Sequence, residues 1–138
     1  MFKKLLVAYD GSEHAKRAFG LALDIADADE GEIVVVSVAQ PAEPATMVET
    51  SAMIDEATQH FEQQFTELRQ KAERRGVALR SKVAVGHVAD QIIHVASDEQ
   101  TDLIVMGHRG KSLVARWLLG SVSKRVISYA PCSVLIAR

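Results

Sequence analysis

Five short apolar runs, separated by stretches of helical periodicity, constrain this chain more than any other feature. Leu5 to Tyr9, Ile33 to Val38, Leu103 to Met106 and Val134 to Ala137 are close to continuous in apolar residues. Runs of that length without clean alternation mark strands covered on both faces. The fifth run, Val77 to Val85, is different: Val77, Leu79, Val83 and Val85 share one parity while Arg80 and Lys82 take the other. It reads as a strand with one wet face, near a sheet edge. Strands alternating with helical patterns predict βαβ units and a mainly parallel sheet, here in the order βαβαβαβαβ within one domain over residues 1–138.

The helical stretches carry their own signals. Ala15, Ala18, Phe19, Ala22, Ile25 and Ala26 fall on one stripe, with Ser12 placed to cap it. After a loop around Pro41 and Pro44, a long helix carries Met53, Ala57, Phe61, Phe65, Leu68 and Ala72. It stops at Gly76, behind Arg74 and Arg75. A third helix carries Val88, Ile92, Val95 and Ala96, and a fourth, opening near Ser121, carries Val122, Val126, Ile127 and Ala130. All four stripes read as core packing.

A chain of 138 residues with 48% hydrophobic residues can bury a core without metal or disulfide staples. Its net charge of -2, with 16 basic and 18 acidic residues intermixed, offers no footprint for nucleic acid or an anionic membrane. Cys132 is the single cysteine, which excludes an intramolecular disulfide or a CxxC site and fits a reducing compartment; it reads as a small buried hydrophobe. The apolar run after Lys3 and Lys4 is too short for the core of a cleavable leader, and no segment approaches the roughly 20 apolar residues of a membrane span. A cytoplasmic protein is expected, with neither nucleic acid nor membrane as partner.

The chemistry concentrates behind the fourth strand. Gly107-His108-Arg109-Gly110-Lys111-Ser112 follows Met106 directly, and nine residues from Lys111 to Leu119 lead on to Gly120-Ser121. Glycines at a strand exit let the chain turn with positive φ and let its N–H groups approach a ligand, so Gly107 and Gly110 are candidates to wrap a phosphate. Gly120-Ser121 opens a helix, where unpaired amides and the positive dipole end favour an anion. A tight βα turn and a helix cap explain either feature alone; the two in this order point to a polyphosphate. Gly110-Lys111-Ser112 imitates the end of a Walker A loop, but the earlier glycine that loop needs would be position 105, which is Val105, and no GxGxxG is present. Asp10 ends the first strand just before Gly11-Ser12, and it fits either an Asx turn or a contact to a ribose hydroxyl, an adenine amino group or Mg²⁺.

No catalytic residue is assigned. Efficient phosphoryl transfer needs a positioned base as well as cations. Arg109 and Lys111 supply cations; His108 is a candidate for a further cation or for the base, against the commoner reading of a solvent-exposed loop histidine, and no sequence feature marks a base. His87 and His94 build no metal-ligand cluster, and no G-x-S-x-G element marks a hydrolase.

Gly107, Gly110, Gly120 and Ser121 complete the pattern G-x2-G-x9-G-[ST], and on them the chain resembles the ATP-binding branch of the universal stress protein family. The likeness extends through LLVAYDGS, TDLIVMGHRGKS, LLGSVSKRVI and PCSVLIA, nearly the whole chain. It implies an α/β fold, a single open parallel five-stranded sheet in order 3-2-1-4-5 with helices on both faces. It further implies ATP or another adenine nucleotide, with Mg²⁺ on the phosphates and Asp10 the one candidate protein contact to the metal. Carried over by position, adenine contacts fall to the backbone around Ala8 and Val38 and a ribose contact to Asp10. Phosphate contacts fall to Met106, Gly107, Gly110, Lys111, Gly120, Ser121 and Val122, with Arg109 an added candidate. The residues Met47 to Ala57 vary within the family and carry no reading of specificity. The role implied is a nucleotide-dependent stress-response regulator acting on a protein partner that the sequence does not identify. A slow ATPase or phosphotransferase and an interaction module without nucleotide are the alternatives, the last opposed by the intact glycine pattern. In the implied strand order the last run lies at an edge without the lysines, prolines or alternation that blunt exposed edges. A homodimer through strand 133–137 is therefore expected.

Overall fold

Successive residues along the central strands feed two separate cores, one on each face of a single sheet. The computed structural model describes residues 1–40, 47–108 and 120–138, with 47, 49 and 50 described by backbone alone. Its elements are β1 (Lys4–Ala8), α1 (Glu13–Asp29), β2 (Glu32–Ala39), α2 (Met47–Arg74), β3 (Leu79–Val85), α3 (Val88–Asp98), β4 (Leu103–Gly107), α4 (Ser121–Tyr129) and β5 (Ser133–Ala137). The strands pair in parallel in the order β3-β2-β1-β4-β5, as expected. Leu5 and Val7 join Phe19 of α1 with Phe65 and Leu68 of α2. Leu6, Val34, Val36 and Ile104 take the other face, with Ile92 of α3 and Val126 of α4. These side chains are almost fully removed from water, and each of the large ones contributes ~1.5–3 kcal/mol of burial.

Several element details differ from the sequence reading, each for a local reason. Tyr9 lies one residue past β1, although its N–H still bonds the carbonyl of Val36. Val77 is buried but precedes β3, because its N–H closes α2 onto the carbonyl of Ala72 behind Gly76. On α1 the buried stripe takes Leu23, while Ile25 sits at its flank and is half-buried. On α4 Ile127 is turned to solvent, and Ser123 occupies the inward position beside Val126. The loop around Pro41 and Pro44 lies outside the described residues.

The amino end of the sheet is closed by charge. Glu99, at the C-cap of α3, lies 2.8 Å from Arg80, 3.1 Å from Lys82 and 3.3 Å from Lys4. Hydrogen bonds from Arg80 and Lys82 hold its carboxyl down at about 2. Asp102 reaches to the same end, its carboxylate accepting from the N–H groups of Lys3 and Lys4. Among the described residues no helix is long and apolar enough to cross a membrane.

Candidate functional site

β1 and β4 are hydrogen-bonded neighbours at the centre of the sheet, with Val7 level with Val105. The chain turns away from them in opposite directions, β1 leading to β2 and β4 to β5, so a crevice opens beyond their carboxyl ends. This topology brings Ala8, Asp10, Val38, Met106, Gly107, Gly120, Ser121 and Val122 to one end of the molecule. Arg109, Gly110 and Lys111 lie outside the described residues.

The exit of β1 is tied down by hydrogen bonds. The Asp10 carboxylate accepts from the N–H of Ser12 at 2.9 Å, an Asx turn, and the Ser12 hydroxyl accepts from Ala15 at 3.1 Å to cap α1. Between them Gly11 has φ +80, a conformation that favours glycine. Ser37, buried at the end of β2, donates its hydroxyl to the carbonyl of Tyr9 at 2.7 Å. Burial pushes the Tyr9 phenol up, against a smaller pull from Lys16. Ala8 and Val38 are half-buried, whereas Met106 is a core side chain and can meet a ligand only through its backbone.

The exit of β4 is built differently from the sequence expectation. Gly107 does not turn the chain with positive φ. Its missing side chain instead makes room for α1: a Cβ there would stand 2.6 Å from the Cβ of His14 and 2.8 Å from its carbonyl carbon. The next N–H, of His108, bonds the carbonyl of Ala137 in β5. Ser123 of α4 directs its hydroxyl at the carbonyls of Gly107 and His108, at 3.4 and 3.3 Å. Gly120 is the N-cap of α4, with φ -59 and ψ 155, and gives its first turn no side-chain acceptor. A Cβ at Gly120 would meet only the carbonyl oxygen of His108, at 3.6 Å. The start of α4 thus sits against the β4 exit with its amide end and dipole uncapped by any N-cap side chain.

Among the described residues, two buried side-chain atoms at this end make no hydrogen bond: Nδ1 of His14 and Oε1 of Gln64. The Gln64 amide, from α2, lies over Gly11, and the His14 ring faces that of His108 with centroids 6.1 Å apart. His14, Ser37, Gln64 and Ser123 were not singled out from sequence. Only Ser37 carried a usable signal there, as a hydroxyl inside an apolar run. Cys132 is half-buried rather than buried, and burial pushes its thiol up, away from nucleophilic use. Among the described residues no group of three potential ligands is placed to hold a metal ion.

The family model described as the Universal stress protein family matches residues 1–138. A universal stress protein encoded in the QAH/OAS sulfhydrylase 3' region of Thermus aquaticus is 38% identical over 140 residues, covering 100% of both chains. Universal stress protein UspA from Lactobacillus plantarum superposes with a TM-score of 0.86 at 25% identity, covering 99% of this chain and 98% of that one. A universal stress protein crystallised in complex with cAMP gives a TM-score of 0.76 at 26% identity, covering 99% of this chain and 97% of that one.

Proposed function

The chain belongs to the universal stress protein family, and from that premise we propose that its crevice binds an adenine nucleotide, ATP with Mg²⁺, and that occupancy of the crevice is the regulatory signal. The observation that carries this reading is the placement of the bare N-cap Gly120 against the β4 exit at Gly107 and His108. Uncapped amides at a helix start favour an anionic group, and no side chain at position 120 keeps a phosphate away. The relative crystallised with cAMP adds support for the ligand class. The adenine lies by the backbone at Ala8 and Val38 and the ribose by Asp10. The phosphates run along Met106, Gly107, Gly120, Ser121 and Val122, and the family pattern assigns them Gly110, Lys111 and Arg109 as well, which lie outside the described residues. When bound, Mg²⁺ would neutralise phosphate charge, with Asp10 the candidate carboxylate among the described residues to assist. The protein is a cytoplasmic regulator read by a protein partner, and any ATP turnover is slow.

Calorimetry with ATP tests this, comparing the wild type with Gly120→Val. Binding by the wild type and a loss of at least about tenfold in the variant are expected, since a branched side chain would fill the approach to the α4 amides. No binding by the wild type overturns the reading, and rapid multiple turnover overturns the regulatory role. Mass spectrometry of protein purified under native conditions gives a direct check through any retained adenine nucleotide.

A second copy of the chain is the proposed cover for β5. This edge strand carries half-buried Val134, Leu135 and Ile136 with no lysine or proline to discourage pairing. A dimeric mass in light scattering at micromolar concentration is expected; a monomeric mass would sink it.

A further inference from the structure

We propose, resting on the nucleotide reading above, that His14 grips a phosphate group of the ligand beside the β4 exit, so that the crevice selects nucleoside phosphates over nucleosides. The starting observation is the buried Nδ1 of His14, which has no hydrogen-bond partner. A buried polar atom left unpaired costs ~1–3 kcal/mol, so its position calls for an explanation, and a ligand is one. The location is specific. His14 is the second residue of α1, and its Cβ and carbonyl carbon lie against Gly107, where β4 ends. The His108 ring stands 6.1 Å away at a tilt of 30°. The two rings form a tilted pair at ordinary aromatic-contact distance, where the start of α1 meets the β4 exit. Neither ring root is loose: His108 is held by Ala137 through its N–H and by Ser123 at its carbonyl.

The neighbouring charges fit an anion. The Asp10 carboxylate accepts from Ser12 within its own turn. Glu13, exposed on α1, pairs with Lys16 at 3.2 Å. The positive end of the α1 dipole lies beneath His14. An imidazole N–H donating to phosphate becomes a charge-assisted bond, which a ribose hydroxyl cannot match.

The test is calorimetry on the whole chain with ATP, AMP and adenosine, using wild type, His14→Ala and His14→Asn. Ala keeps the Cβ that packs on Gly107, and Asn keeps a polar atom near the Nδ1 position. The expected result is a loss of about tenfold for ATP and AMP in His14→Ala, unchanged adenosine affinity, and recovery of most of the loss in His14→Asn. Imidazole nitrogen NMR signals of His14 should shift with AMP and stay put with adenosine. If His14→Ala does not fold, His14→Gln, which moves its amide away from the Nδ1 position, takes its place. Equal ATP affinity in wild type and His14→Ala overturns this inference alone, as does an equal loss for ATP and adenosine. Failure of the wild type to bind any of the three overturns the nucleotide reading itself.

Discussion

Gly107 and His14 are in backbone-level contact: a Cβ on the glycine would fall 2.6 Å from that of the histidine and 2.8 Å from its carbonyl carbon. Neither of those atoms is the far end of a flexible side chain, so the first turn of α1 and the β4 exit must part to admit any larger residue. Gly107→Ala is expected to cost ~2–3 kcal/mol through this overpacking, read as a lower midpoint in urea unfolding. A variant with wild-type stability would show that α1 can ride outward freely.

Gly11 poses a backbone problem rather than a packing one. Its φ of +80 is strained for other residues, and a Cβ there would also press the Gln64 amide at 2.9 Å. Gly11→Ala should destabilise by ~1–2 kcal/mol, while Gly11→Asn should cost less because asparagine tolerates the left-handed region. Thermal unfolding of the pair checks the order; equal midpoints would contradict it.

Ser37 joins the ends of β1 and β2 through one bond to the Tyr9 carbonyl. Ser37→Ala strands that carbonyl in a buried place, at a cost of ~1–3 kcal/mol. Ser37→Thr keeps the hydroxyl and should recover part of the loss. Chemical denaturation distinguishes them.

Glu99 makes stability depend on acid. Its carboxyl is lowered from 4.5 to about 2 by Arg80 and Lys82, so its contribution is complete above about pH 4.5 and disappears as pH falls through about 2. Arg80 is half-exposed, which limits the contribution to roughly 1 kcal/mol. Glu99→Gln should therefore be less stable than wild type at pH 7 and converge with it near pH 2. A constant gap across that range would remove Glu99 as the cause.

The strands, their order and both glycine landmarks were legible in the sequence because burial on two faces leaves continuous apolar runs and because the glycine spacing is tied to a family pattern. What each glycine does was not. Gly107 looks the same in sequence whether it wraps a ligand or yields to a helix, and only the approach of His14, 93 positions earlier, separates the two. Ile127 misled because a nine-residue helix has few inward positions, and Ser123 fills one of them to reach two carbonyls. His14 and Gln64 gave no signal, since a buried atom lacking a partner is a property of assembled neighbours rather than of residue order.

The sheet keeps its ionic cluster and its glycine crevice at opposite ends, and among the described residues the two share no hydrogen-bond partner. Substitutions made at the two ends should therefore combine additively. A laboratory seeking a tougher scaffold can rework the acid-sensitive floor around Glu99, and one seeking a different ligand can re-select the rim around Gly120, each without undoing the other's work.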